Sequence, residues 1–422
     1  HFAGGGSIVL QGGSLSMASG SLLDVSAHGE KGDAGSISVS ASSLLELDGE
    51  LRGMKGLGGA GGSFAVEAKS VDFDPLMEKL ASGGFDNVLD IRAREGELIV
   101  DGTVTASKIR ITADGGGITV GSRGVLDVSA ATGGGSVELY AKNNLTLEAG
   151  SFITASGTGY GSDGGTVLLS SYYAGDLDAG GNPTGGILFK DGARIDVSGT
   201  GPGEGGTVWF RALRNRSDGT ETDLNLGMGG DISGASAVTA EAARIYSYTG
   251  NKSISANDIK AWKSDTEKFL SGVNVAAMRA RLGQTDTRYF HLLPGLEIRS
   301  AGNLTLGVAW DLSSGWRFGG EQEPGVLTLR AGGNLAISND LLDHPINDPG
   351  KDPSYNTYLV RKSPEVDSWS FNLAAGTDTS SADFMAVKPA DGTTNTKALT
   401  VASGKLVYTE SGTIRFASAN ET

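Results

Sequence analysis

An all-β chain wound as a parallel β-helix, with small helical excursions, is the fold this sequence predicts, on three observations. Apolar residues alternate in runs of four to six, the bends between runs are built from glycine, and the run-and-bend unit returns every 27 to 31 residues. Alternation is the strand signal, because period two sends successive side chains to opposite faces of a pleated ribbon. Glycine supplies 67 of the 422 residues, far above ordinary usage, while proline supplies only 10. A hydrophobic share of 38% suffices for a core, which sets the chain apart from a disordered low-complexity polymer.

One unit runs Leu22-Leu23-Asp24-Val25-Ser26-Ala27, then a glycine-containing loop, then Gly35-Ser36-Ile37-Ser38-Val39-Ser40-Ala41. It returns as Val125-Leu126-Asp127-Val128-Ser129-Ala130 before Gly134-Gly135-Ser136-Val137-Glu138-Leu139-Tyr140-Ala141. A third copy is Arg194-Ile195-Asp196-Val197-Ser198 before Gly205-Gly206-Thr207-Val208-Trp209-Phe210. Aligning Ser36 on Ser63 gives an offset of 27, and Ser136 on Thr166 gives 30. A later phrase, Leu296 to Leu306, matches Leu327 to Ile337 through Ala-Gly-Asn-Leu-Thr-Leu and Ala-Gly-Gly-Asn-Leu-Ala-Ile. Three short strands and three bends fit in such a coil, returning the chain beneath itself one strand spacing, ~4.8 Å, further on. Val25, Ile37 and Val39 then stack on Leu51 and Phe64 of the next coil. Gly and Asn are expected at the corners for their tolerance of positive φ. One coil alone buries too little to offset the entropy of ordering it, so coils hold each other.

Residues 1–255 read as repeats with a short helical insertion near 74–82, where Pro75 sits in the first turn and Gly83-Gly84 ends it. Residues 256–293 read as a helical excursion, with helical pieces at Asp265 to Leu270 and Val273 to Leu282. Residues 294–422 read as continued β-helix with a long Pro-rich loop near 340–365, followed by strands near Trp369 to Leu373, Leu399, Val407 and Ile414.

A net charge of −15 repels phosphate backbones, so nucleic acid is not an expected partner. The absence of cysteine removes disulfides, thiolate nucleophiles and Cys-ligated zinc, and permits export of an unfolded chain. No stretch approaches the ~18 apolar residues of a membrane span. The chain opens inside a repeat, and the expectation is an interior piece of a longer protein whose export signals lie elsewhere.

The Ala-Gly-(Gly)-Asn-Leu-x-Leu phrases at 301–306 and 331–337, with the Leu-Asp-Val-Ser units, resemble the haemagglutinin repeats of filamentous-haemagglutinin-like proteins secreted by two-partner systems. Phe290-His291-Leu292-Leu293-Pro294-Gly295-Leu296-Glu297-Ile298, with Trp369-Ser370-Phe371, Ala382-Asp383 and Gly412-Thr413-Ile414, resembles a large region of unassigned role in very long members of that family. The resemblance covers most of the chain, more firmly from about residue 256 onward. It implies a right-handed parallel β-helix and passage through an outer-membrane secretion pore. It also implies location outside or on the surface of a Gram-negative bacterium, flanking coils of a parent chain, and a role in adhesion, biofilm or contact-dependent competition. Host or bacterial surface glycans or proteins are the partners it suggests. It implies no catalytic residue.

The residues themselves point the same way. His1, His28, His291 and His344 stand singly, without the spacing that presets a metal or triad site, so they read as structural or solvated. The glycine loops lack the Lys-Ser/Thr and helix of a phosphate cradle. Asp163, Asp176 and Asp178 lie near Tyr172-Tyr173, where a β-helical polysaccharide-active enzyme would place paired carboxylates, but they read better as turn aspartates. Gly159 to Gly165 is similar to a calcium nonapeptide but occurs once, and a cage needs tandem copies. Lys31-Gly32-Asp33 is a chance-level tripeptide match. Trp310, Trp316, Tyr172 and Tyr173 are candidates for stacking on sugars, although such aromatics more often cap the core or pack the helical excursions. No catalytic, cofactor-binding or metal-binding residue is therefore expected. The function expected is a structural shaft of a secreted or surface adhesin-type exoprotein. The alternatives are a β-helical polysaccharide-active enzyme or the stalk of a contact-dependent growth inhibition toxin.

Overall fold

The computed structural model describes residues 4–175, 185–215, 221–313, 315–318, 322–343, 368–388 and 397–419. The Pro-rich loop expected near 340–365, apart from its first few residues, lies outside them, as do His1, His344, Asp176 and Asp178. Contacts divide the chain into two compact units. The first holds His1–Ala212, Asn225–Thr239 and Arg288–Phe290; the second holds Leu213–Leu224, Ala240–Thr287 and His291–Thr422. Each is a parallel β-helix.

In the first unit every coil contributes a long strand to one face. In stacking order these are Ser7–Met17, Ser36–Leu47, Ser63–Ala68, Val88–Ala93, Lys108–Ala113, Ser136–Ala141, Thr166–Ser171 and Thr207–Leu213, all parallel. The register is the one the repeat predicts, with Ser36 opposite Ser63 and Ser136 opposite Thr166. Three-residue strands build the other two faces, for instance Leu98–Val100, Ile118–Val120 and Leu145–Leu147 on one, Thr103–Thr105, Val125–Asp127 and Phe152–Thr154 on the other.

Parallel in-register pairing turns alternation into columns. Val39, Val66, Ile91, Ile111, Leu139, Leu169 and Phe210 form one column, all fully buried or nearly so. Ile37, Phe64, Leu89, Ile109, Val137, Val167 and Val208 form a second. The expected stack of Ile37 on Phe64 is therefore observed, and Val25 and Leu51 are buried with them. A third column is small: Ala41, Ala68, Ala93, Ala113 and Ala141 stack in register, the last four closing their long strands where the ribbon must turn.

The second unit repeats the plan. Its long face stacks Phe290–Ser300, Val326–Ala331, Ser370–Ala375 and Ile414–Ser418, and Leu304–Leu306, Leu335–Ile337 and Leu399–Val401 form a neighbouring face. The repeated Asn phrase has a structural reason. Asn251 Oδ1 accepts from the backbone N–H of Asn303, Asn303 Oδ1 from that of Asn334, and Asn334 Oδ1 from that of Ala398, at 2.8, 2.8 and 2.9 Å. Each asparagine satisfies an amide of the next coil at a corner where strand pairing lapses. The Leu-Asp-Val-Ser phrase is a corner clasp: Asp24, Asp127 and Asp196 each accept from the backbone N–H two residues on.

The glycines preceding the long strands are there for a different reason than expected. Gly35, Gly135, Gly165 and Gly206 do not have positive φ. A Cβ on Gly165 would instead lie 2.0 Å from the carbonyl oxygen of Gly135, and one on Gly206 would lie 2.0 Å from that of Gly165. Backbone stacks on backbone with no room for a methyl group. Alternation also fails in places: all six residues of Val326–Ala331 are buried, because residues 376–388 cover the outer face of the strand.

Three helices interrupt the coils of the described residues: α1 (Phe73–Ser82), α2 (Ala256–Phe269) and α3 (Gly272–Leu282). α1 lies where the repeat is broken at 74–82 and buries Phe73, Leu76, Met77 and Leu80. α2 begins nine residues before the expected helical piece, because Ser255 and Asp258 form a reciprocal capping box. α3 ends at Gly283 in the left-handed region.

Gly165→Ala tests close stacking against turn strain. It should cost more than about 3 kcal/mol in urea unfolding, although its backbone conformation suits alanine, because the clash is with backbone. Gly20→Ala, at φ +80 in open space, should cost only about 1 kcal/mol. The opposite ranking would show that the coils are not packed this closely.

Candidate functional site

Among the described residues no three His, Cys, Asp or Glu side chains gather as a metal site. The residues weighed as site candidates are spread over the fold and engaged in holding it. His28 is exposed, and His291 Nδ1 lies 2.8 Å from Glu323 Oε1. Asp163 accepts from the backbone N–H of Glu204 in the next coil at 2.8 Å, the turn role expected of it. Asp33 accepts from that of Ala60 at 2.7 Å, which places Lys31-Gly32-Asp33 at a corner with Lys31 and Asp33 exposed.

Of the two readings of the aromatic residues, packing in the core and against the helices is the one observed for most of them. Trp310, Trp316 and Tyr172 are 1%, 3% and 8% exposed. In the second unit Tyr246, Trp262, Trp310 and Trp316 follow one another at ring separations of 5.3 to 5.6 Å, and Trp369 meets Trp316 edge-on at 5.9 Å. This aromatic file joins α2, through Trp262, to the coils. In the first unit the Tyr172 ring lies beneath the Arg211 guanidinium at 4.9 Å, and Tyr173 is half-buried. Aromatic side chains that do face solvent are Tyr160, 90% exposed at a glycine-rich loop tip, and, less fully, Tyr289 and Phe416.

The densest chemistry is charge. On the outer face of the first unit's long strands, Asp114 sits between Arg92 and Arg94 at 2.7 and 3.0 Å, and Arg94 also pairs with Glu67. One coil on, Glu138 takes Arg110 at 2.8 Å and Lys108 at 3.1 Å. Burial alone would raise the Glu138 carboxyl, but Arg110 and Lys108 more than reverse this and hold it below the ordinary carboxylate value. These are rungs between coils: Arg110 stands directly opposite Glu138 in register, while Lys108 reaches it diagonally from opposite Ser136.

The second unit fastens its helices with charge. Arg214, fully buried, reaches Asp265 of α2 at 3.2 Å and lies over the Phe269 ring at 4.3 Å. Burial lowers the Arg214 guanidinium to about 10, opposed by Asp265, so it stays charged at neutral pH. Tyr246 donates to the same Asp265 at 2.7 Å, and its hydroxyl is raised by burial and by that bond. Arg281 of α3 grips Asp223 through two nitrogens at 2.6 and 2.7 Å. Glu297 and Arg330, both fully buried, pair at 2.9 Å under residues 376–388.

Comparison of the chain with protein-family models, with curated proteins and with solved structures returns no match.

Adjacent residues on one strand separate core from rung. Val137→Asp places a charge in the column between Ile109 and Val167 and should abolish folding or cost more than about 3 kcal/mol. Glu138→Lys is not the mild outward change that alternation alone suggests, since it sets a third cation against Lys108 and Arg110. Glu138→Gln should lose about 1 kcal/mol at pH 7. Because the folded carboxyl titrates below its unfolded value of about 4.5, the stabilisation is present above that pH and vanishes as pH falls through the folded value. Urea unfolding at pH 7 and pH 3 should therefore show a difference between the parent and Glu138→Gln that shrinks on acidification.

Proposed function

We propose that the chain is a non-enzymatic structural segment, a shaft of coils in a large secreted or surface-exposed adhesin-type exoprotein that mediates attachment. The observation that carries this reading is the coil-to-coil register: in each unit, parallel strands repeat the same columns, corner clasps and charged rungs, an arrangement that serves persistence along a stack. Side chains able to do chemistry are spent on it, Asp24, Asp127 and Asp196 at corners, Glu138 and Asp114 between coils. The likeness of the Asn-Leu-x-Leu and Leu-Asp-Val-Ser phrases to haemagglutinin repeats supports export through an outer-membrane pore and a place outside a Gram-negative cell. The cysteine-free composition suits such a passage.

A shaft tolerates loss of a whole coil. In the parent reading frame, produced with its secretion pore, deletion of residues 108–135 joins Ser107 to Ser136 and keeps every column in register. Display on the cell surface should persist while attachment to a solid support falls. Deletion of 108–121 removes half a coil and should block display. Equal loss of display in both variants would contradict the shaft reading, as would cleavage of a polysaccharide panel by the purified chain.

A further inference from the structure

One corner of the first unit carries the loops that lead into the long strands, and their lengths vary in a pattern the shaft does not require. Residues 25–35, 53–62, 128–135, 155–165 and 197–206 stand out as long loops, whereas α1 leads in through residues 83–87 and the next coil turns in only two residues, Ala106 and Ser107. Two short-looped coils thus lie between tall ones. The backbone passes in register from Gly62 to Asn87, Lys108 and Ser136, so the tall loops flank a saddle three strand spacings, about 14 Å, between backbones.

We propose that this saddle is a binding site for one chain of a linear, neutral glycan lying across the stack. Its floor is polar and accessible: Ser107 is exposed, and Asp86, 42% exposed, is paired at 2.6 Å with Lys55, 49% exposed, which reaches down from the wall loop 53–62. Asn87 and Lys108 lie beside them, Asn87 donating to Ser63 Oγ at 3.2 Å and Lys108 pairing with Glu138. Paired ions held side by side present donors and acceptors together, which suits hydroxyl groups that both give and take hydrogen bonds. Met54, 50% exposed beside Gly84, gives the wall an apolar face for the C–H side of a sugar ring.

Other polymers fit less well. The floor charges balance and the chain carries −15 overall, which disfavours a polyanion. Val88–Ala93 and Lys108–Ala113 are hydrogen-bonded to strands on both sides, so no edge is open for a peptide to extend. The inference goes beyond the shaft reading, and its failure would leave the coil-deletion result untouched.

Calorimetric titration of the purified chain with cellohexaose, maltohexaose and chitohexaose, and with a hexagalacturonate for comparison, tests it. At least one neutral hexasaccharide should bind. Replacing Ala106-Ser107 with the eight residues of 128–135 fills the saddle and should raise the dissociation constant about tenfold or more, with thermal unfolding unchanged. Should that insertion disturb folding, Lys55→Ala with Asp86→Ala, both on the surface, should weaken binding in the same direction. No binding of any neutral hexasaccharide, binding of hexagalacturonate alone, or affinity unchanged by these substitutions would overturn the proposal.

Discussion

Everything in this protein depends on how closely one turn of backbone lies on the next. Parallel strands at ~4.8 Å bring like residues into contact, and the glycines before the long strands let the corners approach as closely as the strands do. Gly135, Gly165 and Gly206 stack carbonyl on Cα with no space for a side chain. From that spacing follow the apolar columns, the alanine column at the turn, the asparagine ladder and the charged rungs, all of them consequences of repeating one residue above another.

The same constraint decides where charge goes. Inside a coil there is room only for side chains that match those above and below. Charged residues are placed outward, where Glu138 meets Lys108 and Arg110 from the neighbouring coil. Where a second layer covers the outer face, the charges become a buried pair, Glu297 with Arg330, while buried Arg214 reaches out to the half-exposed Asp265. Removing one partner of such a pair costs about 3–5 kcal/mol because the other is left buried. α2 is held by the Arg214–Asp265 pair and the Trp262 to Trp316 file, and α3 by Arg281 with Asp223, not by helix propensity alone.

Much of the fold was legible because a solenoid writes its register into its sequence. Ser36 over Ser63, Ser136 over Thr166 and Leu296 over Leu327 follow from repeat offsets alone. What stayed hidden depends on contacts between residues far apart in sequence. The burial of Val326, Thr328 and Arg330 needs the covering segment 376–388, and alternation in one strand says nothing of it. The start of α2 was signalled only by Ser255 and Asp258, a capping pair with aspartate where glutamate is the usual cue. Trp310 and Trp316 read as core caps or helix packing on general grounds, but that Trp262 and Trp369 are their partners is not visible in the sequence. The saddle was in the loop lengths, but a two-residue turn acquires meaning only when the loops above and below it are known.

Native-state hydrogen exchange on Ile111→Ala addresses the central claim most directly. Ile111 sits between Ile91 and Leu139 in the buried column. Nearest-neighbour stacking predicts that amide protection falls in Val88–Ala93, Lys108–Ala113 and Ser136–Ala141 and is retained in Ser36–Leu47. Loss confined to Lys108–Ala113, or an equal loss in every strand of the unit, would contradict it.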